Sequence, residues 1–361
     1  MKKNMRRIVF VDQCLDAGGA ERVMCTIMRM LDPAKFDIHL ILVTELRTFR
    51  YLVPREVKIH ELGIKKTSRA FFLYSKIIRE LKPDIVFSTS KRTTILSILT
   101  RPFSGRFKIV SRYSTTPSLI APNNKFLNWR SIIEKNFYKR ADYVIAQTEQ
   151  MAREICHYYR IPMEKVVTIL NPVDIIYIND CLKNSKNPYS PETLNIVAVG
   201  TLYPPKGFDT LILAFGIIAR EFENCNLWVI GRDHENNEAL LRRQAERLGV
   251  SNKVNFLGFK KNPYVYMKYA DLFVLSSRRE GLPNVLLEAK YLGCKAVGTN
   301  CVEVISTLLK PKFVSLVDDA ENLASVMNKA LTCDEPTFSS NDFNGDLIGF
   351  LERITVKSKP V

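Results

Sequence analysis

The sequence predicts an α/β protein with two doubly wound parallel-sheet domains. In both halves, short apolar runs typical of β-strands alternate with helical patterns, and this alternation is typical of parallel sheets with crossover helices. The length of 361 residues suits two domains of about 150 residues each. A stretch rich in Asn, Lys, Pro and Ser at 179–192 separates the halves, and the strand–helix pattern begins again after it.

The first half opens with a short apolar strand at 7–12. A turn at Gly18-Gly19 follows, and the helix predicted over 20–31 has Val23, Ile27 and Met30 on one face. Further strands are predicted at 36–43, 84–88, 108–112 and 143–147. The segment Asn171-Pro172-Val173-Asp174 closes this half.

The second half repeats the pattern, with strands predicted at 194–199, 226–230, 254–257, 272–275 and 295–298. The predicted organisation is an N-terminal domain at 1–175, a linker at 176–193 and a C-terminal domain at 194–340. The last segment, 341–361, is predicted as a helix or tail that could cross back to the N-terminal domain.

The excess of positive over negative charge lies entirely in the first half. Residues 1–170 hold 31 Lys or Arg against 15 Asp or Glu, whereas residues 171–361 hold 22 of each, so the first half carries the whole net charge of +16. Such a surface could meet nucleic acid, an anionic membrane or a phosphorylated substrate, or it could simply be solvated. No C2H2 spacing or basic–aromatic ribonucleoprotein motif supports nucleic acid as a partner.

The eight cysteines are scattered without a C-x-x-C pair, which argues against a zinc site or a secreted disulfide framework and favours the cytoplasm. The N-terminus does not resemble a signal peptide. The longest apolar run, 211–219, is half the length of a membrane span and is better interpreted as a buried helix. We therefore expect a soluble or peripheral protein.

The decapeptide EGLPNVLLEA at 280–289 is the most informative motif. Glu280 and Glu288 bracket a Gly-Leu-Pro-Asn turn and a helix that Asn284 opens, directly after the apolar strand at 272–275. The first N–H groups of a helix have no intrahelical partner and can hold an anion, while carboxylates can hold sugar hydroxyls. The motif thus suggests a sugar nucleotide. The alternative is an ordinary strand–turn–helix unit with both Glu side chains in solvent.

Glycines end several other predicted strands. Gly18-Gly19, Gly200 and Gly231 all fall at strand ends, where doubly wound sheets bind ligands, and we expect the two domains to face a cleft there. Lys206 lies in a Tyr-Pro-Pro-Lys-Gly turn ahead of a helix, where its ammonium could neutralise a diphosphate or remain in solvent.

Five motifs follow one another along the chain: GGAERV after the first strand, NPVD at the domain junction, G-T-L-x3-KGF, FLGFKKNPY at 256–264, and ADLFVLSSRREGLPNVLLEA. In these motifs, in their order and over nearly its whole length, the chain resembles the family 4 (group 1) retaining glycosyltransferases of the GT-B fold, of the bacterial surface-polysaccharide type. The last block is the most specific. FLGF with EGLPNVLLEA is most similar to enzymes that extend lipid-linked bacterial glycans with UDP-sugars.

The resemblance implies catalytic roles for Glu280, which would face the donor sugar, and for Lys206, which would stabilise the leaving diphosphate. The remaining substrate-binding positions that it implies are Gly18, Gly19, Gly200, Gly231, Gly281, Leu282, Asn284 and Glu288, the last on the nucleotide ribose. It also implies a metal-independent reaction without a cofactor, retention of the donor's anomeric configuration, and a glycan or polyprenyl-diphosphate-linked acceptor on the N-terminal domain.

The sequence departs from the family pattern at three places. Thr201 stands where the family usually has Arg, with Arg232 as a conceivable substitute. Where many relatives have a His after the fourth strand, this chain has Ser111-Arg112-Tyr113-Ser114, so Arg112 could contact substrate or form a structural ion pair. The segment 300–304 is about four residues shorter than the corresponding loop.

The resemblance implies a glycosyltransferase that moves a hexose or N-acetylhexosamine from a nucleotide sugar, with UDP expected, in bacterial O-antigen, capsule or lipopolysaccharide biosynthesis. The expected location is the cytoplasmic face of the plasma membrane. Cations between Arg101 and Arg140 alternate with aromatic residues such as Phe103 and could form a patch that lies on anionic lipid, or an ordinary amphipathic helix. The departures leave open a catalytically impaired binding protein, and a sugar-nucleotide epimerase is a further alternative.

Overall fold

A computed structural model describes residues 5–16, 18–45, 49–114, 116–117, 135–339 and 346–355. The chain divides into two compact units. The first unit comprises residues 1–172 and 343–361, and the second comprises residues 173–342. Each unit contains one parallel sheet, which confirms the predicted fold class.

The first unit is built on a seven-stranded parallel sheet with the order β3-β2-β1-β4-β5-β6-β7. Its strands are β1 (Arg6–Asp12), β2 (Phe36–Leu42), β3 (Lys58–Glu61), β4 (Ile85–Ser88), β5 (Lys108–Arg112), β6 (Tyr143–Ala146) and β7 (Val166–Thr168). Its helices are α1 (Gly19–Met30), α2 (Phe71–Leu81), α3 (Lys91–Ser104), α4 (Glu149–Tyr159) and, from the C-terminal segment, α12 (Leu347–Thr355).

The second unit has a six-stranded parallel sheet with the order β10-β9-β8-β11-β12-β13. Its strands are β8 (Leu194–Val199), β9 (Cys225–Ile230), β10 (Val254–Gly258), β11 (Leu272–Leu275), β12 (Ala296–Thr299) and β13 (Val314–Ser315). Its helices are α5 (Ile175–Leu182), α6 (Phe208–Glu221), α7 (Asn237–Arg247), α8 (Tyr264–Tyr269), α9 (Asn284–Tyr291), α10 (Ile305–Leu308) and α11 (Ala320–Thr332).

Helices on the faces of each sheet explain the continuous apolar runs in the sequence. Residues 8–11 of β1 are completely buried, as strands covered on both faces must be. In the second unit, the predicted buried helix at 211–219 is confirmed as part of α6, whose Leu211 and Phe215 are fully buried. Each hydrophobic core therefore lies between its sheet and its own helices.

Strands β3, β7 and β13 were not predicted from the sequence. They are two to four residues long, and all three are edge strands. Strands β3 and β7 form the two edges of the first sheet, and β13 forms one edge of the second. Edge strands this short carry little periodic signal. The segment 176–193, predicted as a linker, contains most of helix α5, which Asp174 caps through the N–H group of Tyr177 at 3.1 Å.

The C-terminal helix α12 is attached to the first sheet by basic side chains. Arg6 Nη1 donates to the Glu352 carbonyl at 2.8 Å, and Lys108 Nζ donates to the Ile354 carbonyl at 2.8 Å. Cations at the last carbonyls of a helix satisfy acceptors that have no intrahelical partner. These bonds explain why a segment so distant in sequence belongs to the first unit.

Within the described ranges, none of the helices has the length and apolar character needed to cross a bilayer.

Candidate functional site

The order of strands in the second sheet reverses between β8 and β11, which are neighbours. Loops that leave two such strands diverge to opposite sides, so a crevice forms at the carboxyl ends, and ligands of doubly wound sheets bind there. Gly200 directly follows β8, and Glu280 lies in the loop after β11. Both predicted residues therefore lie at the switch point.

Lys206 and Glu280 form an ion pair across this point. Lys206 Nζ lies 2.6 Å from Glu280 Oε1, and the same oxygen accepts a hydrogen bond from Ser277 Oγ at 2.7 Å. The Lys206 side chain is 22% exposed and that of Glu280 is 11% exposed, so both are shielded but reachable. The sequence predicts each residue in the site, and the structure brings them into direct contact although they are 74 positions apart.

Gly207 allows the Lys206 loop to lie against the end of β11. Its backbone has φ +64°, and a Cβ at this position would overlap the carbonyl oxygen of Ser276. Ser276 Oγ also donates to the Lys206 carbonyl at 2.9 Å. The close approach between the loop of Lys206 and the end of β11 therefore requires glycine at position 207.

Arg278 links the same two loops through its guanidinium. It donates to both carboxylate oxygens of Asp209, at 2.8 and 2.7 Å, to Asp318 Oδ1 at 2.5 Å and to the Pro204 carbonyl at 2.6 Å. A planar guanidinium with two carboxylate partners holds them in a defined geometry. Arg278 was not predicted from the sequence as a functional residue, although it lies two residues before Glu280 in the same motif.

Gly200 and Gly231 pack against each other at the ends of β8 and β9. A Cβ on Gly231 would overlap the Gly200 carbonyl oxygen, whereas a Cβ on Gly200 would lie 3.6 Å from Lys206 Cδ, an ordinary contact. Glycine is thus required at position 231 because the ends of β8 and β9 pack closely there. Gly200 lies beside the Lys206 side chain.

The helix after Glu280 begins where the sequence predicts, at Asn284. Pro283 precedes it and supplies no side-chain cap. Gly207, which precedes α6, likewise supplies none. Helix starts of this kind favour anions. Gly281 is partly exposed next to this helix start, and Leu282 is buried at 6% exposure, where it anchors the turn.

Glu288 lies one turn further along α9, on the same face as Asn284. It is only 8% exposed, and its Oε1 accepts a hydrogen bond from the Tyr264 hydroxyl at 3.4 Å. Tyr264 ends the FLGFKKNPY motif and is 1% exposed. The predicted ribose-binding carboxylate is therefore a buried group held by a tyrosine, and the interpretation of Glu288 as a residue on a solvated face is wrong.

Two of the departures from the family pattern, at Thr201 and at 300–304, lie in the second unit. Arg232, the conceivable substitute for the missing cation at Thr201, stacks its guanidinium 5.8 Å from the Phe259 ring centroid. In the segment 300–304, Cys301 lies near the ion pair, and burial together with the charge of Glu280 raises the pKa of its thiol to about 12. Sequence reasoning did not indicate a thiol there.

The first sheet has its own switch point, between β1 and β4. Asp12 ends β1 and Arg112 ends β5, and both are buried, at 5% and 3% exposure. Burial lowers the pKa of Arg112 to about 10, an effect that the charge of Asp12 opposes. Arg112 Nη2 donates to Asn171 Oδ1, while Nη1 has no hydrogen-bond partner among the described residues.

The space at Gly18 is occupied by the protein itself. A Cβ there would overlap Glu21 Oε2, because this side chain in the first turn of α1 folds back over the helix start. Burial, assisted by the charges of Asp12 and Asp16, raises the pKa of the Glu21 carboxyl to about 7. The space beside Gly18, where a ligand was predicted to bind, is therefore filled by the Glu21 carboxyl group. Gly19, the first residue of α1, is exposed beside it.

The predicted residues therefore form two groups. In the second unit the structure brings together the side chains of Lys206 and Glu280 at the switch point, beside the start of α9. Gly18, Gly19 and Arg112 belong to the first unit. Within the described ranges, no cluster of three or more His, Cys, Asp or Glu side chains is arranged to hold a metal ion.

Comparison with known proteins gives two matching family models. Residues 17–176 match the model of Glycosyltransferase Family 4, and residues 183–340 match that of Glycosyl transferases group 1. In Campylobacter jejuni, an N-acetylgalactosamine-N,N'-diacetylbacillosaminyl-diphospho-undecaprenol 4-alpha-N-acetylgalactosaminyltransferase is 28% identical over 82% of this chain and 81% of its own length. The lipopolysaccharide core biosynthesis glycosyltransferase LpsE of Rhizobium meliloti is 24% identical, with coverage of 78% and 76%.

Among solved structures, that of HepE from Anabaena in complex with UDP has a TM-score of 0.75 at 19% identity, covering 92% of this chain and 91% of the other. WaaG, a glycosyltransferase involved in lipopolysaccharide biosynthesis, has a TM-score of 0.68 at 17% identity, covering 90% of each chain. At such low identity, these likenesses show that the fold is shared.

Proposed function

We propose that this chain, which belongs to the family 4 (group 1) glycosyltransferases and has the GT-B fold, is a retaining enzyme of bacterial polysaccharide biosynthesis. It moves a hexose or N-acetylhexosamine from a UDP-sugar to a glycan or lipid-linked glycan acceptor. UDP is the proposed nucleotide because the HepE structure contains UDP, and the lipid-linked acceptor is proposed because the Campylobacter relative is named for one.

The ion pair between Lys206 and Glu280 carries this proposal. An ammonium held 2.6 Å from a carboxylate is oriented before any ligand arrives. When the diphosphate leaves, its negative charge grows at the switch point, and a preorganised cation stabilises such charge most in the transition state. Glu280 then accepts hydrogen bonds from hydroxyls of the donor sugar, which holds the anomeric carbon in place.

The uridine diphosphate moiety is proposed to bind along α9. Its phosphates accept hydrogen bonds from the N–H groups around Gly281, Leu282 and Asn284, at a helix start that favours anions. The buried Glu288 carboxylate accepts the ribose hydroxyls, and Tyr264 holds it in the required position. Gly200 and Gly231 allow the ends of β8 and β9 to lie against each other beside the Lys206 side chain.

The acceptor is proposed to bind to the first unit, near Gly18, Gly19 and Arg112. In the reaction, the bond between the anomeric carbon and the diphosphate oxygen breaks, and its electron pair goes to the diphosphate. The acceptor oxygen bonds to the anomeric carbon on the same face and gives its proton to a diphosphate oxygen. We propose that this step needs no metal ion or other cofactor, since Lys206 and the helix starts supply the positive charge.

The proposed place of action is the cytoplasmic face of the bacterial plasma membrane, with peripheral attachment through the basic first half. The charge distribution, with 31 Lys or Arg against 15 Asp or Glu in residues 1–170, supports attraction to anionic lipid.

The decisive experiment is a mass-spectrometric screen of UDP-sugars against glycan and polyprenyl-diphosphate-linked acceptors. We expect one donor–acceptor pair to give a product heavier by one sugar, in a reaction that tolerates EDTA. Product NMR should show the anomeric configuration of the donor. Absence of binding to UDP, GDP and ADP would contradict the proposal at its first step.

A second candidate, a catalytically impaired glycosyltransferase-like protein, is favoured by Thr201 and by the short segment that brings Cys301 beside the ion pair. This protein would bind UDP without turnover. Turnover that is lost in Lys206→Ala would exclude it.

A further inference from the structure

Helices α2 and α3 of the first unit present large apolar side chains to solvent. Phe72 is 84% exposed and Phe103 is 60% exposed, while Leu73 and Leu99 are each 40% exposed. Single exposed apolar residues are ordinary, but a group of them on adjacent helices marks an interaction surface. We call these four residues the aromatic patch.

Ring contacts through Phe71 connect Phe72 of α2 with Phe103 of α3. The Phe71 ring lies edge-on to both neighbours, with centroids 5.3 Å from Phe72 and 5.8 Å from Phe103. Arg79 donates from Nε and Nη2 to the Phe103 carbonyl, at 3.1 and 2.9 Å. Beneath the patch, the hydroxyls of Tyr74 and Ser97 are hydrogen-bonded at 2.7 Å. These bonds join α2 to α3, so the exposed residues of both helices belong to one surface.

Positive charge surrounds the patch. Residues 62–106, which include both helices, hold ten Lys or Arg against two Asp or Glu. The exposed cations among them are Lys65, Lys66, Arg69, Lys76, Arg79, Lys82, Arg92 and Arg106. Lys76 and Arg79 follow Phe72 by four and seven positions on α2, so apolar and cationic side chains share one helix face.

We propose that the aromatic patch and its surrounding cations dock this protein on the surface of an anionic lipid bilayer. Exposed aromatic rings insert at the boundary between headgroups and acyl chains, while Lys and Arg side chains contact the phosphate groups. A protein partner would need a strongly acidic and apolar face, whereas an anionic bilayer offers both properties over any area. The charge of the region therefore favours lipid as the occupant.

This surface differs from the one that the sequence predicts. The predicted patch between Arg101 and Arg140 includes Phe103 and Arg106, but its members at 118–134 lie outside the described residues. The contribution of α2, and of Phe72 above all, follows from the exposure of the side chains. The inference deepens the membrane contact in the proposed function, but vesicle binding needs no glycosyl transfer, so the two can fail separately.

The test is cosedimentation of the full chain with sucrose-loaded vesicles of phosphatidylcholine alone or with about 30% phosphatidylglycerol. We expect binding to the anionic vesicles that weakens with salt, and a loss of at least about tenfold in Phe72→Ser/Phe103→Ser, whose unchanged melting temperature would show that it folds. Lys66→Glu/Lys76→Glu should weaken binding to anionic vesicles by a similar factor.

Matched controls lie in the second unit. Leu213 and Leu240 are 42% and 58% exposed, so Leu213→Ser/Leu240→Ser removes exposed apolar surface elsewhere. Arg243→Glu/Arg247→Glu removes exposed cations from α7. Both control variants should bind anionic vesicles like the parent. Equal binding by the parent and the patch variants, or no binding by the parent, would overturn the proposal. Self-association that Phe72→Ser/Phe103→Ser abolishes, without vesicle binding, would assign the patch to a protein contact instead.

Discussion

Lys206 Nζ lies 2.6 Å from Glu280 Oε1, so the cation and the carboxylate of the proposed donor site hold each other in place. Lys206 is the single residue that the proposed reaction depends on most. We expect Lys206→Ala to lower kcat by about 100- to 1000-fold, because a preorganised charge opposite a leaving group is worth that much. Initial rates of UDP release with the donor identified by the screen would measure this.

Lys206→Arg is the matched control for that prediction, since it keeps the charge but changes the geometry. It should retain more activity than Lys206→Ala. Unchanged turnover in the alanine variant would remove Lys206 from the mechanism.

Glu288→Ala should abolish the rise in melting temperature that UDP causes in the parent protein. The reason is that the buried carboxylate would supply the acceptors for the ribose hydroxyls, and a ligand that binds only the folded state raises its stability. Tyr264→Phe removes only the hydrogen bond to Glu288 and should reduce the shift without abolishing it. A full UDP-induced shift in Glu288→Ala would exclude the proposed ribose contact.

Arg278→Ala should lower kcat about 10- to 100-fold, although Arg278 is not proposed to touch substrate. It fastens the loop of Lys206 to the loop of Glu280 through Asp209, Asp318 and the Pro204 carbonyl, and small misplacements of catalytic groups cost rate on this scale. Steady-state kinetics with the identified donor would measure the change, and Arg278→Lys should recover part of it.

The control for Arg278 is Arg242→Ala, which breaks an exposed pair with Glu238 on α7. It should leave kcat unchanged. Equal effects of the two substitutions would mean that the Arg278 bonds do not position the site.

Gly207→Ala should lower the unfolding free energy by about 2–4 kcal/mol, because the new Cβ would overlap the Ser276 carbonyl oxygen and the backbone is left-handed. Gly249 has a similar φ of +69° but open space around it, so Gly249→Ala should cost only about 1 kcal/mol. Melting temperatures of the two variants would separate overlap from backbone strain. Equal losses would show that the two loops adjust freely.

Glu21 should make stability depend on pH. Burial raises its pKa in the folded state to about 7, against an ordinary value of 4.5, so the stability that it contributes is fully present below about pH 4.5 and is lost as the pH rises through 7. Glutamine does not ionise, so Glu21→Gln removes the loss of stability that ionisation of the Glu21 carboxyl causes. Its melting temperature relative to the parent should therefore rise between about pH 5 and pH 8, corresponding to at most ~3 kcal/mol.

The control for this pH profile is Glu80→Gln, at an exposed position on α2. The pH dependence of the Glu21→Gln melting temperature is compared with that of Glu80→Gln. Identical profiles for the two variants would show that the Glu21 carboxyl is not perturbed.

Much of the fold was predictable from sequence because strands buried on both faces must be continuously apolar. Residues 8–11 and 272–275 are examples, and both were found where predicted. The edge strands β3, β7 and β13 were missed because two to four residues leave no periodicity to detect. The start of α9 at Asn284 was predictable because the Gly-Leu-Pro-Asn turn precedes it directly.

The sequence by itself determined the two parallel sheets, the family and the residues around the second switch point, since local patterns and motifs encode them. Only the tertiary structure decided which of those residues meet. Contacts between positions 74 apart, such as that of Lys206 with Glu280, depend on strand order, which adjacent residues do not encode. The same holds for the clamp of Arg278, the burial of Glu288, the Glu21 carboxyl at Gly18 and the exposure of Phe72, because burial is set by neighbours distant in the chain.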